Sequence, residues 1–235
     1  MIESLPNYIA IVFGLTTLAT LLLFYMAIKK STVGHKASWI GLGMVAWLIL
    51  QMALSINLYY LNTIGDVPPK FPLLSFMPTF VLIIVLFNTK KGKAFIDSLP
   101  LSQLTFLSII RIPVEIVLWW LFIHNTIPEL MTFEGRNYDI LAGITAPFIA
   151  YFGYIKGKLN NRILLWWNIV SLLLLINIVV NALLSFPTVI QQQAFDQPNV
   201  GLLYFPFIWL PAFVVPVVFF THFVSIRQLI NRNSI

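Results

Sequence analysis

Seven long apolar stretches joined by short polar connections dominate this chain of 235 residues, at about 7–28, 37–61, 71–88, 101–125, 139–155, 163–186 and 203–230. A helix crosses a hydrocarbon core of about 30 Å with roughly 20 residues at 1.5 Å per residue. Each stretch is long enough to cross on this count, the third and fifth being the shortest. The runs are continuous and lack the alternation of a barrel strand, so they predict helices. An all-α protein is expected, a bundle of seven transmembrane helices in one domain. No connection is long enough for a soluble domain. Charged residues make up only 9% of the chain, against about 25% in a soluble domain. That excludes a soluble enzyme, a nucleic-acid binder and a disordered chain. There is no cysteine, hence no disulfide framework.

Basic residues between the spans set the expected orientation. Lys29, Lys30, Lys36, Lys90, Lys91, Lys93, Lys156, Lys158, Arg162, Arg227 and Arg232 fall on one side, and Lys70 and Arg136 on the other. This places the N-terminus outside and the C-terminus inside, in a plasma or bacterial inner membrane. Glu3, Asp66, Glu129, Glu134, Asp139 and Asp196 are expected outside and Asp97 inside. The eight tyrosines lie near span ends, where a ring with a polar tip prefers the interface. The first span lacks the preceding basic segment of a signal peptide. The net charge of +6 is then a membrane address, and nucleic acid is not expected as a partner.

The halves echo one another. Gly14-Leu15-Thr16, Tyr25 and Lys29 match Gly143-Ile144-Thr145, Tyr154 and Lys158; Gln51 and Ser55 match Asn177 and Asn181; Phe71-Pro72 and Pro78 match Phe205-Pro206 and Pro211. A parallel 3+1+3 repeat of this kind occurs in transporters; chance among apolar words is the competing explanation. In arrangement it resembles the SWEET sugar transporters and the PnuC vitamin-uptake group. The N-out, seven-helix plan equally resembles the rhodopsins and seven-helix receptors. No family motif is matched, so the resemblance is one of architecture. A retinal Schiff base needs a lysine within a span, and every lysine lies in a connection or at a span end. Retinal is therefore not expected.

Two charges remain inside a span. Arg111 and Glu115, four residues apart, share a helix face around Pro113. A charge at the bilayer centre costs about 2.5–3.5 kcal/mol on insertion scales, which pairing lowers. Pro113 also frees the carbonyl of Ile109. The pair reads as a midplane site for an anionic or zwitterionic solute, with Glu115 as a proton carrier, or as a clasp within the bundle. Gln51, Ser55, Asn57, Thr145, Asn177 and Asn181 sketch a polar cavity at similar depth, ordinary interhelical hydrogen bonding being the duller explanation. Pro206, Pro211 and Pro216 interrupt span seven, marking a gate or a static kink.

Other features promise less chemistry. His124 and His222 are expected near opposite faces, about 28 Å apart in depth, too far to share a metal or haem; His35 lies in a connection. The acids Glu129, Glu134 and Asp139 around Arg136 read as a solvated loop that would otherwise cap a cavity. Ala142, Ala146, Ala150 and Gly153 form a small-residue stripe suited to close packing or a homo-oligomer. No catalytic constellation, metal cluster or phosphate loop appears, so neither an enzyme nor a cofactor is expected. The sequence points to a transporter or channel for a small polar or anionic solute. A ligand-binding sensor that signals to a partner, or a structural subunit of a membrane complex, are the alternatives.

Overall fold

The computed structural model describes residues 5–233, which excludes Glu3. Every regular element among the described residues is helical. The helices are α1 (Asn7–Lys29), α2 (Ala37–Ile56), the single turn α3 (Tyr59–Asn62), α4 (Met77–Asn88), α5 (Lys90–Ser98), α6 (Leu101–Leu107), α7 (Arg111–Ile123), α8 (Ile140–Ile149), α9 (Asn161–Leu184) and α10 (Val215–Asn233). Wider π-type turns precede α4 (Pro72–Phe76) and α10 (Leu210–Val214) and extend α8 (Ala150–Ile155). A tight 3-10 turn, Ser108–Ile110, joins α6 to α7.

By length and apolarity five helical segments can cross a membrane: Asn7–Lys29, Gly34–Ile56, Leu101–Ile123, Asn161–Leu184 and Leu210–Arg232. A sixth arises if Pro72–Asn88 and Lys90–Ser98 count together, although they meet at a bend of 95°. The expected seven thus reduces to five or six by this measure. The third and fifth stretches fall short because their helices, π-turns included, run only from Pro72 to Asn88 and from Ile140 to Ile155. Ile140–Ile155 is a shorter apolar helix. The bend has a local cause: Thr89 is extended and its hydroxyl accepts a hydrogen bond from Gly92 N at 3.1 Å, starting α5 afresh. Gly92 lies so close to Leu86 that a Cβ would meet its carbonyl oxygen.

Apolar side chains face outward as well as inward. Leu15 is 61% exposed and Trp166 65%, with Leu18, Leu22, Leu42, Ile49, Val170 and Leu173 also open. A soluble fold would bury such rows; a lipid-facing surface needs no polar cover. The chain has the helices and the apolar exterior of an integral membrane protein. The most enclosed span is Leu210–Arg232, 72% buried, followed by Leu101–Ile123 at 50%. These two form the centre, with α1 against α6 and α7, and α9 along α10.

Polar residues along α2 serve the proline-broken helices. Pro216 cannot donate to the carbonyl of Ala212, nor Pro78 to that of Leu74, as helical residues would. Trp47 Nε1 donates to Ala212 at 2.9 Å, and Gln51 Nε2 to Leu74 at 3.0 Å. One α-helical turn further on, Ser55 Oγ donates to Leu203 at 2.7 Å. Residues 47, 51 and 55 lie four apart, so one stripe of α2 satisfies orphaned carbonyls on two neighbouring segments.

The candidate functional site

Arg111 opens α7 and Glu115 follows one turn later, on the same face. They do not form an ion pair with each other. Each turns to a different partner, and both are sealed: Arg111 is 2% exposed and Glu115 1%. Arg111 Nη1 donates to Asp139 Oδ1 at 2.9 Å and to the carbonyl of Ser171 at 3.2 Å. Its Nη2 lies 3.0 Å from His222 Nε2. A guanidinium has no acceptor lone pair, so Nε2 must accept and the ring proton sits on Nδ1. His222 Nδ1 then donates to Asn168 Oδ1 at 3.0 Å, and Asn168 Nδ2 to Leu164 O at 2.9 Å. Glu115 receives Asn137 Nδ2 on both carboxylate oxygens at 2.7 Å. Asn137 Oδ1 in turn accepts from Asp139 N at 3.0 Å, which closes the network.

Two placements differ from the sequence expectation. Asp139 is not a solvated loop acid but 4% exposed and paired with Arg111. The segment from Thr126 to Asp139 folds into the bundle: Asn125 takes a left-handed conformation as α7 ends. At Gly135 a Cβ would collide with the Glu129 carbonyl. Asn137, with no exposure, is carried inward. Gly143 completes the approach, since a Cβ there would meet Ile112 N at 3.1 Å and Arg111 Cβ at 3.2 Å. His222 is likewise enclosed, at 1% exposure, and meets Arg111. The stretch at 203–209 contributes no long helix, so the spanning segment begins at Leu210. Its midpoint therefore moves toward the C-terminus and takes His222 with it.

The other predicted polar residues are scattered. Gln51 also accepts from Tyr60 OH at 2.6 Å, and Gln51 and Ser55 are buried. Asn57 is exposed and bonds back to Ala53 O at 2.8 Å. Thr145 is exposed; it bonds to Leu141 O at 2.7 Å and accepts from Trp167 Nε1 at 2.9 Å. Asn177 Nδ2 donates to Arg136 O at 2.8 Å, and Asn181 accepts from Gln193 at 3.0 Å, so both tie α9 to connections. Pro113 lies in the first turn of α7, Pro206 before α10, Pro211 in its π-turn, and Pro216 second in α10. Ala142, Ala146, Ala150 and Gly153 are buried within the chain.

Chemically, the cluster holds one guanidinium, one neutral imidazole and two carboxyls. It is electrically neutral when it also holds one proton, and uncompensated buried charge is costly. A surface cavity of about 540 Å³ is lined by Phe122, Glu129, Leu130, Gly135 and Arg136 among others, and by none of the cluster's own residues. The same loop supplies both the wall of that cavity and Asn137, the partner of Glu115. Asn168 and Ser171 are missed by the sequence reading although both are polar residues within a predicted span, the available signal; His222 is named there but without these partners. Asn137 carried no such signal. No group of three or more potential metal ligands occurs among the described residues.

A family model described as a domain of unknown function (DUF8737) matches residues 68–230, and the chain belongs to that family. No curated protein and no solved structure matches it.

Proposed function

We propose that this is a multi-pass protein of a plasma or bacterial inner membrane that moves a small polar or anionic solute, with the Arg111 cluster as its closed central site. In this reading Pro72–Asn88 and Ile140–Ile155 serve as short spans, which gives seven crossings, N-terminus outside and C-terminus inside. The distribution of basic residues supports that orientation. The observation that carries the proposal is the loop from Pro128 to Asn137. It forms the floor of the 540 Å³ cavity on one side and holds Glu115 on the other. Displacing it opens a path from cavity to cluster. A solute carboxylate or phosphate would then replace Asp139 on Arg111, the released carboxyl taking up a proton. The role needs no cofactor and no catalytic step.

The test is uptake of a panel of small labelled anions and zwitterions into proteoliposomes under a pH gradient. Wild-type protein is expected to accumulate at least one, and Arg111→Gln to abolish uptake while eluting as a folded species. If the wild type moves none, or if the variant moves as much, the proposal fails. A second reading, that the cluster only clasps the helices, is favoured by the intramolecular partners on both terminal nitrogens of Arg111. It predicts a loss of thermal stability with transport unchanged.

A further inference from the structure

On the far side of α10 from the charge cluster, an apolar groove of about 750 Å³ runs between α2 and α4, floored by α1 and α10. Ile40, Met44 and Trp47 form one wall, Leu82 and Leu86 the other, and Phe220 part of the floor. From Lys36 to Trp47 it follows roughly 16 Å of helix. Its charged groups gather at one end, beside Thr89: Lys36 at the start of α2 and Lys91 at the start of α5. Both lysines are exposed, and no acidic residue lines the groove. At roughly 30 Å³ per heavy atom, the share of a water in its liquid, the volume holds about 25 heavy atoms. That corresponds to one acyl chain with a glycerophosphate.

We propose that the groove is a binding site for one anionic glycerophospholipid. Its phosphate sits between Lys36 and Lys91, and one acyl chain runs toward Trp47 and Phe213. Charge complementarity selects this occupant. A neutral helix or a detergent tail would use the apolar walls but leave the paired cations unanswered, whereas an anionic headgroup at the bilayer surface answers both. The right-angled turn into α5 is what brings Lys91 to the mouth: a straight continuation of α4 would carry it away along the axis. The site is independent of the transport reading.

The experiment is native mass spectrometry of the full chain from nanodiscs containing equal parts of phosphatidylglycerol and phosphatidylcholine with matched acyl chains. The expected result is a single retained phosphatidylglycerol. K36Q/K91Q should lose that preference about thirtyfold, the scale two lysines near an anionic surface supply. Gly43 lines the groove, and a Cβ there meets nothing within 4 Å. Gly43→Phe sends its Cβ into open space; its ring should fill the groove and remove the adduct, with an unchanged elution profile as the check on folding. Equal retention of the two lipids by wild type, an unchanged preference in K36Q/K91Q, or a protein dimer abolished by Gly43→Phe overturns the proposal.

Discussion

The energetics of the Arg111–Asp139 pair can be worked from its surroundings. The two side chains are 2% and 6% exposed, and their contact is 2.9 Å, so water screens it little. Unit charges about 4 Å apart attract by about 4 kcal/mol at an effective dielectric of 20. Removing one partner of a buried pair costs about 3–5 kcal/mol, while replacing both by apolar groups is often neutral. Asp139→Leu leaves a guanidinium that cannot release its charge; Arg111→Met leaves a carboxyl that can take up a proton. Asp139→Leu is therefore the costlier single change. For a chain of this size, 3–5 kcal/mol lowers Tm by about 6–20 °C. The double variant R111M/D139L should recover most of that loss. Thermal scanning through the seven tryptophans in detergent reads all four corners of the cycle. Costs that add to within about 0.5 kcal/mol, the behaviour of independent sites, would refute the reasoning.

Gly143→Leu should push α8 from the α6–α7 junction and cost about 1–3 kcal/mol as an overpacked contact, seen as a lower Tm and as loss of uptake if the cluster is the transport site. Trp47→Phe removes the donor that answers Ala212 O, and the unsatisfied carbonyl should cost about 1–3 kcal/mol; W47F/P216A, which restores a backbone N–H, should regain part of it in the same scan. Asn137→Leu strips Glu115 of its two hydrogen bonds from Asn137 and should loosen the 128–137 loop, measurable as faster amide exchange there than in α9. Arg227→Ala, by contrast, breaks a partly exposed pair with Asp97 and should change stability by no more than about 1 kcal/mol.

The repeat shows how sequence and structure diverge. Matching words aligned Pro78 with Pro211. In the fold the local counterparts are Pro78 and Pro216: each is second in its helix after a π-turn, and each frees a carbonyl answered from α2. A word match finds a proline; only the hydrogen bonds say which proline stands in which turn.

Helix as the only regular structure among the described residues, the lipid-like exterior and Arg111 with Glu115 as exceptional charges followed from the sequence alone. Each depends on local quantities: the length of an apolar run, the cost of a charge within it, the lack of an N–H on proline. The partners of those charges did not follow. Asp139 lies 28 positions from Arg111 and His222 111 positions away, and which residues meet depends on where each helix begins. A span that starts at Leu210 and not seven residues earlier puts His222 next to its midpoint. A loop turned inward at Gly135 converts an apparent solvent acid into a buried counter-ion. Tertiary structure made both decisions, because a buried charge takes its partners from whichever helices pack beside it, whatever their distance in sequence.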